Sequence, residues 1–553
     1  MWASHWSLVD PLNAWFFFVL LKSIRLSRSF PLPTSCSITM SLGITDIAVC
    51  LLLFLLYVEL RNRRLYKSLP PGPKRLPLIG NILQMPTSLE WEVYAQWGKE
   101  LNSDMIHLAV GGSTLVIINS LKIANDLLDK RSSIYSDRPA LPMIRDLIGW
   151  DWMTSALPYG EQLKEQRRLF QRHFAPSNTA VYEDIVVECV HKFLLDILKT
   201  PQDFLENTKQ LPRGIALSLA YGIKVEGHHD PFVKLAEDAI ETFSIAGVPG
   251  AFLVDALPIL KYVPEFIPGA GFKRKAKEWR KLMLSFRNDS FAEGLSRIKL
   301  GHAIPSFTSK CLEELDPKAD TKHQTELIRD TSGALYAAVS HTLISSLLTF
   351  FVAMLHYPSV MRKAHAELDS VIGSSRLPSF NDRPRTPYIT AIVKEVLRWQ
   401  PAAPQAFPHR LMEDDVYEGY SFPAGTIFIA NSWAMLHDEK NYPDPMTFKP
   451  ERFLNSKGEM NPEICNPSDM AFGYGRRICV GAHIAEAALW LTIASVLSTY
   501  DISPPIDDKG NDILPSLVYQ STIVSGPLPF DCNFKPRSKE AEFVIQSAGP
   551  RVI

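Results

Sequence analysis

Residues 472–481 read FGYGRRICVG, and they come directly before an amphipathic run, residues 482–497, that predicts a helix. Cys479 therefore lies at or just before a helix amino terminus, where the helix dipole favours negative charge. Arg476 and Arg477 add two adjacent cations. Both effects lower the pKa of a thiol, so we expect Cys479 to be a thiolate.

The residues around Cys479 favour a single thiolate ligand to a planar metal cofactor. Gly475 and Gly481 carry no side chain and would let the backbone approach a flat group. A structural zinc site needs four ligands, and no second Cys or His lies at a ligand spacing. His483 is four residues away, and we interpret it as a partly buried polar residue.

Five positions of this stretch resemble a known family. Phe472, Gly475, Arg477, Cys479 and Gly481 match the haem-binding signature of the cytochrome P-450 family, phenylalanine-x-x-glycine-x-arginine-x-cysteine-x-glycine. The resemblance implies haem b as the cofactor, with Cys479 as the axial ligand of its iron. It also implies a single-domain cytochrome P-450 fold that is mainly α with small β-sheets.

A second motif lies on a predicted apolar helix that ends at Pro401. Glu395 and Arg398 are three residues apart, so their side chains share a face and predict a buried pair. The pair resembles the family's glutamate-x-x-arginine motif. Residues 450–453 resemble the companion segment, and their Arg452 is expected to join the same ion network. Such networks define geometry more than they add stability.

The resemblance extends from residue 41 to about residue 535. It includes residues 70–73, residues 159–168 and the tripeptide Pro408-His409-Arg410. Residues 253–275 are similar to the fungal secondary-metabolism branch of the family, near the O-methylsterigmatocystin oxidoreductases.

The resemblance assigns three cations to the two haem propionates, which need positive partners. These are Arg477, His409 and Arg167. Leu163 stands where the family has a tryptophan that donates to a propionate, so we expect haem anchoring to be weaker or differently shaped. The alternative for Arg167 is a solvated basic helix face. In that case its neighbours would form a basic patch suited to an acidic reductase, made of Lys164, Arg168 and Arg172.

The centre of the longest predicted helix, residues 338–342, reads AVSHT. Thr342 matches the family threonine that hydrogen-bonds iron-bound dioxygen and helps deliver protons. His341 replaces the usual acid, and histidine relays protons near neutral pH. Val339 replaces a glycine, so its branched side chain narrows the oxygen groove. Two hypotheses follow: either Thr342 and His341 form a working relay, or oxygen activation is impaired. The alternative for His341 is a purely structural role, as a buried histidine whose hydrogen bonds are satisfied.

The composition is typical of a globular chain with a large core. Of 553 residues, 46% are hydrophobic and 21% are charged, which excludes a disordered chain, a collagen-like repeat and a coiled coil. The net charge of −1 gives no general reason to expect nucleic-acid binding. The seven cysteines lie far apart, as in a reduced, cytosol-facing chain.

The amino end predicts a membrane anchor. Residues 42–58 are apolar apart from Asp46 and reach the lower length limit for a spanning helix. Basic residues follow directly, so the rest of the chain is expected in the cytoplasm, with a single-pass anchor in the endoplasmic reticulum membrane. A cleaved signal peptide is the alternative. Met40 makes residues 1–39 a candidate alternative-start leader.

We therefore divide the chain into five segments. Residues 1–39 are the leader, and residues 40–60 are the transmembrane anchor. Residues 61–80 form a basic, proline-rich hinge, residues 81–535 form one haem-thiolate monooxygenase domain, and residues 536–553 form a tail.

Within the domain, residues 105–110 and 114–118 predict a β-hairpin, and residues 416–420 and 426–430 predict a similar one. Residues 326–357 predict a long, mostly buried helix that Pro358 ends.

The leading function is a monooxygenase that inserts one atom of O2 into an apolar small molecule. Its electrons would come from NADPH through a separate cytochrome P-450 reductase, because the chain has no dinucleotide-binding glycine fingerprint. The expected substrate is a terpenoid, polyketide or aromatic metabolite. Two alternatives stay open: a haem-thiolate isomerase or dehydratase that needs no NADPH, and a membrane haem-binding protein without catalysis.

Overall fold

The chain divides into two units, residues 1–68 and residues 69–553. The structure is a computed structural model that describes residues 44–77, 79–110, 112–175, 177–178, 180–225, 227, 230–248 and 250–548. The expected leader, residues 1–39, and residues 40–43 of the expected anchor lie outside the described residues.

The amino-terminal unit contains helix α1, Ile44–Tyr66. Its exposed apolar side chains include Leu52, Leu53 and Leu56. Among the described residues, the helices that are long and apolar enough to cross a membrane are Thr321–His356 and Ala482–Thr499. In each helix, 72% of the most apolar 18-residue stretch is buried, so both are core helices of the second unit.

Helices form most of the second unit. In chain order they are α2 Glu90–Glu100, α3 Leu121–Ala124, α4 Ser132–Tyr135, α5 Glu161–His173, α6 Ala180–Lys199, α7 Phe204–Tyr221, α8 Pro231–Ala246, α9 Leu253–Ala256, α10 Gly271–Lys299, α11 Phe307–Glu313, α12 Thr321–His356, α13 Pro358–Val371, α14 Pro387–Trp399, α15 Ser432–Leu436, α16 Ser468–Ala471, α17 Ala482–Thr499 and α18 Lys539–Ala548.

The strands are short. They are β1 Met105–Val110, β2 Ser113–Ile118, β3 His409–Arg410, β4 Asp415–Tyr417, β5 Tyr420–Phe422, β6 Ile427–Ala430, β7 Tyr500–Ser503 and β8 Asn533–Pro536. One sheet has the order β1-β2-β6-β3, and β4-β5 and β7-β8 form two-stranded sheets. Strand β2 pairs with β1 antiparallel and with β6 parallel. The mainly α fold with small sheets is thus as expected.

The first predicted hairpin is confirmed, and the second is wrong. Strands β1 and β2 pair along their whole length, with Met105 opposite Ile118 at one end and Val110 opposite Ser113 at the other. Residues 416–420 do not form one strand, because Glu418 and Gly419 both have positive φ angles and turn the chain between β4 and β5. Strand β6 pairs with β2 and β3 instead.

Helix α12 is the central element of the core. It spans 36 residues and packs mainly against α7. Two of its buried polar residues have clear partners: Asp330 binds Arg287 through two hydrogen bonds of 2.8 Å, and Ser332 lies 2.8 Å from Thr308. The helix ends at His356, and Pro358 starts α13.

Both ends of the second unit pack onto its body. The carbonyl groups of Pro70 and Pro71 accept hydrogen bonds from the ring and the backbone N–H of His107 on β1. At the other end, α18 buries Ala541 and Ile545. The proline segment and part of the expected tail therefore belong to the packed unit.

Candidate haem site

The loop before α17 is built around one close backbone contact. A short 3-10 turn at Gly475–Arg477 leads to Cys479, whose N–H donates to the Phe472 carbonyl at 2.8 Å. Gly475 has φ +51°, and a Cβ there would lie 2.3 Å from the Leu128 carbonyl oxygen. Glycine is thus needed at 475 for packing against the protein itself. A Cβ at Gly481 would meet no described atom within 4 Å, so this glycine borders open space.

The Cys479 thiol borders an internal space. Its side chain is exposed, although burial raises its pKa. A hydrogen bond from the Gly481 backbone and the charge of Arg167 partly offset that rise. The expected lowering of the pKa is therefore wrong for the metal-free chain. Metal binding itself deprotonates a thiol, so a ligand role needs no pre-formed thiolate.

The cation that lowers the pKa of the Cys479 thiol is Arg167, not Arg476 or Arg477, whose guanidinium groups bind other parts of the chain. Arg476 donates to the Tyr159 hydroxyl. Arg477 donates to the Ser136 carbonyl at 2.7 Å and to the Leu157 carbonyl at 2.8 Å.

Arg477 lies in a cluster with Arg138 and His409. Arg138 donates to the Phe407 and Pro408 carbonyls at 2.8 and 2.7 Å. The His409 ring lies beside both arginines, and its Nδ1 donates to the Tyr135 carbonyl at 2.7 Å. Burial lowers the pKa of all three groups. Repulsion by Arg477 adds to this for Arg138, and repulsion by Arg138 adds to it for His409. For Arg477 the repulsion comes from Arg167.

The charge of Asp137 partly offsets the lowered pKa values of Arg138 and Arg477, but it does not pair with them. In the described part of the chain, no carboxylate forms an ion pair with Arg138, Arg477 or His409. The neighbouring Asp137 binds Arg410 at 3.2 Å instead. Buried positive charge without an anion is costly. The cluster therefore fits a ligand that brings negative charge.

Arg167 lies at the thiol. Its Nη1 donates to the Ile478 carbonyl at 3.0 Å. The charge of Arg167 lowers the pKa of Cys479, and the charge of Cys479 raises the pKa of Arg167. Leu163, in the position of the family's tryptophan, is buried on the same helix, α5. Arg168 and Lys164 instead pair with the exposed Glu161.

The centre of α12 also faces an internal space. Ala338 is exposed and Val339 half-buried, although the residues on either side in the helix are buried. The Thr342 hydroxyl donates to the Ala338 carbonyl at 2.7 Å. Burial, and then the charge of Arg213, lower the pKa of His341 to about 4. His341 is thus neutral at pH 7, and its Nε2 is buried without a partner.

The predicted ion network forms one buried unit. Glu395 accepts from Arg398 at 2.7 and 2.9 Å and from Arg452 at 3.1 Å. It also accepts from the Lys449 N–H at 2.7 Å, so α14 and the 450–453 segment are joined. The Glu395 and Arg398 side chains are 0% exposed.

These features fit a haem. The exposed thiol of Cys479 would ligate the iron, and Arg477, His409, Arg138 and Arg167 would bind the propionates. Sequence reasoning missed Arg138, because a lone arginine in a loop has no spacing that distinguishes it.

A cleft adjoins the cation cluster. It is formed by residues 138–156, the end of α8, residues 404–408 and residues 522–523. Its walls are largely apolar and include Leu141, Ile144, Phe243, Phe407 and Ile523. The cleft thus brings together segments that lie far apart in the chain, and residues 336–340 of α12 do not line it.

Comparison with known proteins agrees with this geometry. The family model for Cytochrome P450 matches residues 70–534. The chain is 43% identical to cytochrome P450 monooxygenase ple1 of Rhodocybe pseudopiperita, over 87% of this chain and 91% of that protein. It is 40% identical to cytochrome P450 monooxygenase 98 of Postia placenta (90% and 95% covered) and 38% identical to tryptamine 4-monooxygenase of Psilocybe cyanescens (86% and 95%). The chain belongs to the cytochrome P450 family and is a cytochrome P450 monooxygenase.

Proposed function

We propose that the protein is a membrane-anchored haem-thiolate monooxygenase that oxidises an apolar small molecule in fungal secondary metabolism. It uses O2 and electrons from NADPH-cytochrome P-450 reductase. The observation that carries the proposal is the exposed Cys479 thiol near the buried Arg138 and Arg477, which form no ion pair with a carboxylate among the described residues.

In this proposal the residues of the site have distinct roles. Cys479 ligates the iron, and Arg477, His409 and Arg167, with Arg138, neutralise the propionates. When bound, the haem supplies the iron centre at which O2 is activated and one oxygen atom is transferred. Phe472, Gly475 and Gly481 shape the loop around the thiol.

Thr342 and His341 handle protons next to that centre. The Thr342 hydroxyl donates its hydrogen to the Ala338 carbonyl, so the lone pairs of its oxygen are left to accept a hydrogen bond from a proton donor beside the haem. His341 is neutral, and a neutral imidazole accepts at one nitrogen while it donates at the other. A relay through His341 therefore needs no stable imidazolium.

The substrate is an apolar metabolite of terpenoid, polyketide or aromatic type. The apolar walls of the cleft support this class. The name of the similar tryptamine 4-monooxygenase shows that a related chain acts on a small aromatic molecule.

The anchor is helix α1, placed in the endoplasmic reticulum membrane with the catalytic domain in the cytoplasm. Exposed apolar side chains along α1 and the basic residues at its carboxyl end support this orientation. In the second unit, residues 253–267 also carry exposed apolar side chains, with Tyr262 at 71% and Phe266 at 85%, as expected for a segment that dips into the membrane surface.

The reductase would bind the basic patch of Lys164, Arg168 and Arg172. The first two pair with Glu161, and Arg172 pairs with Glu314. These pairs are exposed and therefore weak, so an acidic partner competes for the same cations.

The test is a carbon-monoxide difference spectrum of the reduced full chain, followed by turnover with the reductase in a metabolite-producing yeast. We expect the thiolate-type Soret band, its loss in Cys479→Ala, and oxidised products that require NADPH. An unchanged band in Cys479→Ala would exclude the ligand assignment. Product formation without NADPH would favour an isomerase or dehydratase.

A further inference from the structure

The apolar cleft beside the cation cluster also has polar lining residues. Three of its lining residues carry a buried side-chain atom without a hydrogen-bond partner: Nε of Arg145, Oγ of Ser155 and Nε2 of Gln405. A buried donor without a partner costs free energy, and native proteins generally avoid it. Three such atoms on one cleft therefore point to a partner that comes from outside the chain.

The other polar side chains of the cleft are already engaged. Arg138 donates to the Ser155, Phe407 and Pro408 carbonyls. The Thr522 hydroxyl donates to the Val524 carbonyl at 2.6 Å, and the Glu90 carboxylate accepts from Ser521 at 2.7 Å.

The three unpartnered groups are held by well-bonded backbone. The Arg145 N–H donates to the Leu141 carbonyl at 2.9 Å, and the Ser155 carbonyl accepts from Arg138 at 2.9 Å. On either side of Gln405, the Pro404 carbonyl accepts from Trp433 at 2.8 Å and the Ala406 N–H donates to Ala430 at 2.9 Å. Hydrogen bonds thus hold the backbone at or beside each of the three residues.

We propose that Arg145, Ser155 and Gln405 bind an oxygen atom of an otherwise apolar substrate, as a carbonyl or a carboxylate. All three groups donate hydrogen bonds, and an oxygen acceptor satisfies them. Arg145 forms no ion pair within the described residues, so its charge adds attraction for a carboxylate. This inference rests on the proposed function, because it makes the cleft the substrate site.

The test compares three probes of one shape in equilibrium dialysis with the haem-loaded full chain: 2-ethylnaphthalene, 2-acetylnaphthalene and 2-naphthoate. We expect the ketone to bind about 2- to 10-fold more tightly than the hydrocarbon, the range of one net hydrogen bond. Naphthoate should bind at least as tightly as the ketone. Gln405→Leu should remove the preference for the ketone, and Arg145→Met should weaken naphthoate most.

Thr522→Val is the matched control, because its hydroxyl lies in the same cleft but already has a partner. It should leave all three affinity ratios unchanged. Equal affinities of the three probes for the wild-type chain, or ratios unchanged in Gln405→Leu and Arg145→Met, would overturn the inference. The haem-thiolate spectrum and NADPH-dependent turnover report on the proposed function separately.

Discussion

Replacing His341 by leucine should make the domain less sensitive to acid. On acidification to about pH 5, the variant should lose about 2 kcal/mol less of its free energy of unfolding than the wild type. In the folded chain, burial and then the charge of Arg213 lower the pKa of His341 to about 4. In the unfolded chain a histidine titrates near about 6.5. The unfolded state therefore binds the proton more readily. The contribution of neutral His341 is complete above about pH 6.5 and is lost as the pH falls toward about 4.

The magnitude follows from the gap between the two pKa values. A gap of about 2.5 units corresponds to about 3.4 kcal/mol when titration is complete, and to about 2 kcal/mol at about pH 5. Urea titrations followed by tryptophan fluorescence at about pH 7.5 and about pH 5 measure the loss directly. His409 and His437 also have lowered pKa values, but they contribute equally to wild type and variant.

The control is Ser340→Ala, a buried neighbour on α12 that does not titrate. It should lose as much stability on acidification as the wild type. If His341→Leu lost as much as the wild type too, the assignment of a neutral, buried imidazole would be refuted.

Glu395→Gln should lower the free energy of unfolding by about 3–5 kcal/mol in urea titrations, because two arginines lose their anion in a fully buried site; the exposed Glu161→Gln should cost at most about 1 kcal/mol. Thr342→Ala should raise the NADPH consumed per product at least about twofold if its hydroxyl moves protons, and unchanged coupling would contradict that role. Gly475→Ala should destabilise the domain by more than about 2 kcal/mol, because its Cβ would meet the Leu128 carbonyl and its φ is positive; a thermal midpoint equal to wild type would contradict the packing argument.

Local patterns predicted some elements well and others poorly. Strands β1 and β2 were predictable because they pair across a short turn. The partner of β6 was not, since β2 lies more than 300 residues earlier in the chain and the pairing is parallel. The prediction of one strand at 416–420 is wrong because residues of high strand propensity flank a turn at Glu418 and Gly419.

The candidate site shows the same division. Cys479 and the Glu395–Arg398 pair stand out because their partners are a few residues away. Arg138 does not, because its carbonyl partners Phe407 and Pro408 are brought to it only by folding.

Taken alone, the sequence determined the family, the candidate ligand Cys479 and the mainly helical class, because these depend on residue identities at short spacings. Only the tertiary structure decided the charge states. Burial raises the pKa of Cys479 and lowers that of His341, and no local pattern contains that burial. The structure also decided which polar groups lack partners, including Gln405 in the cleft, because hydrogen bonds across the fold depend on distances that only packing sets.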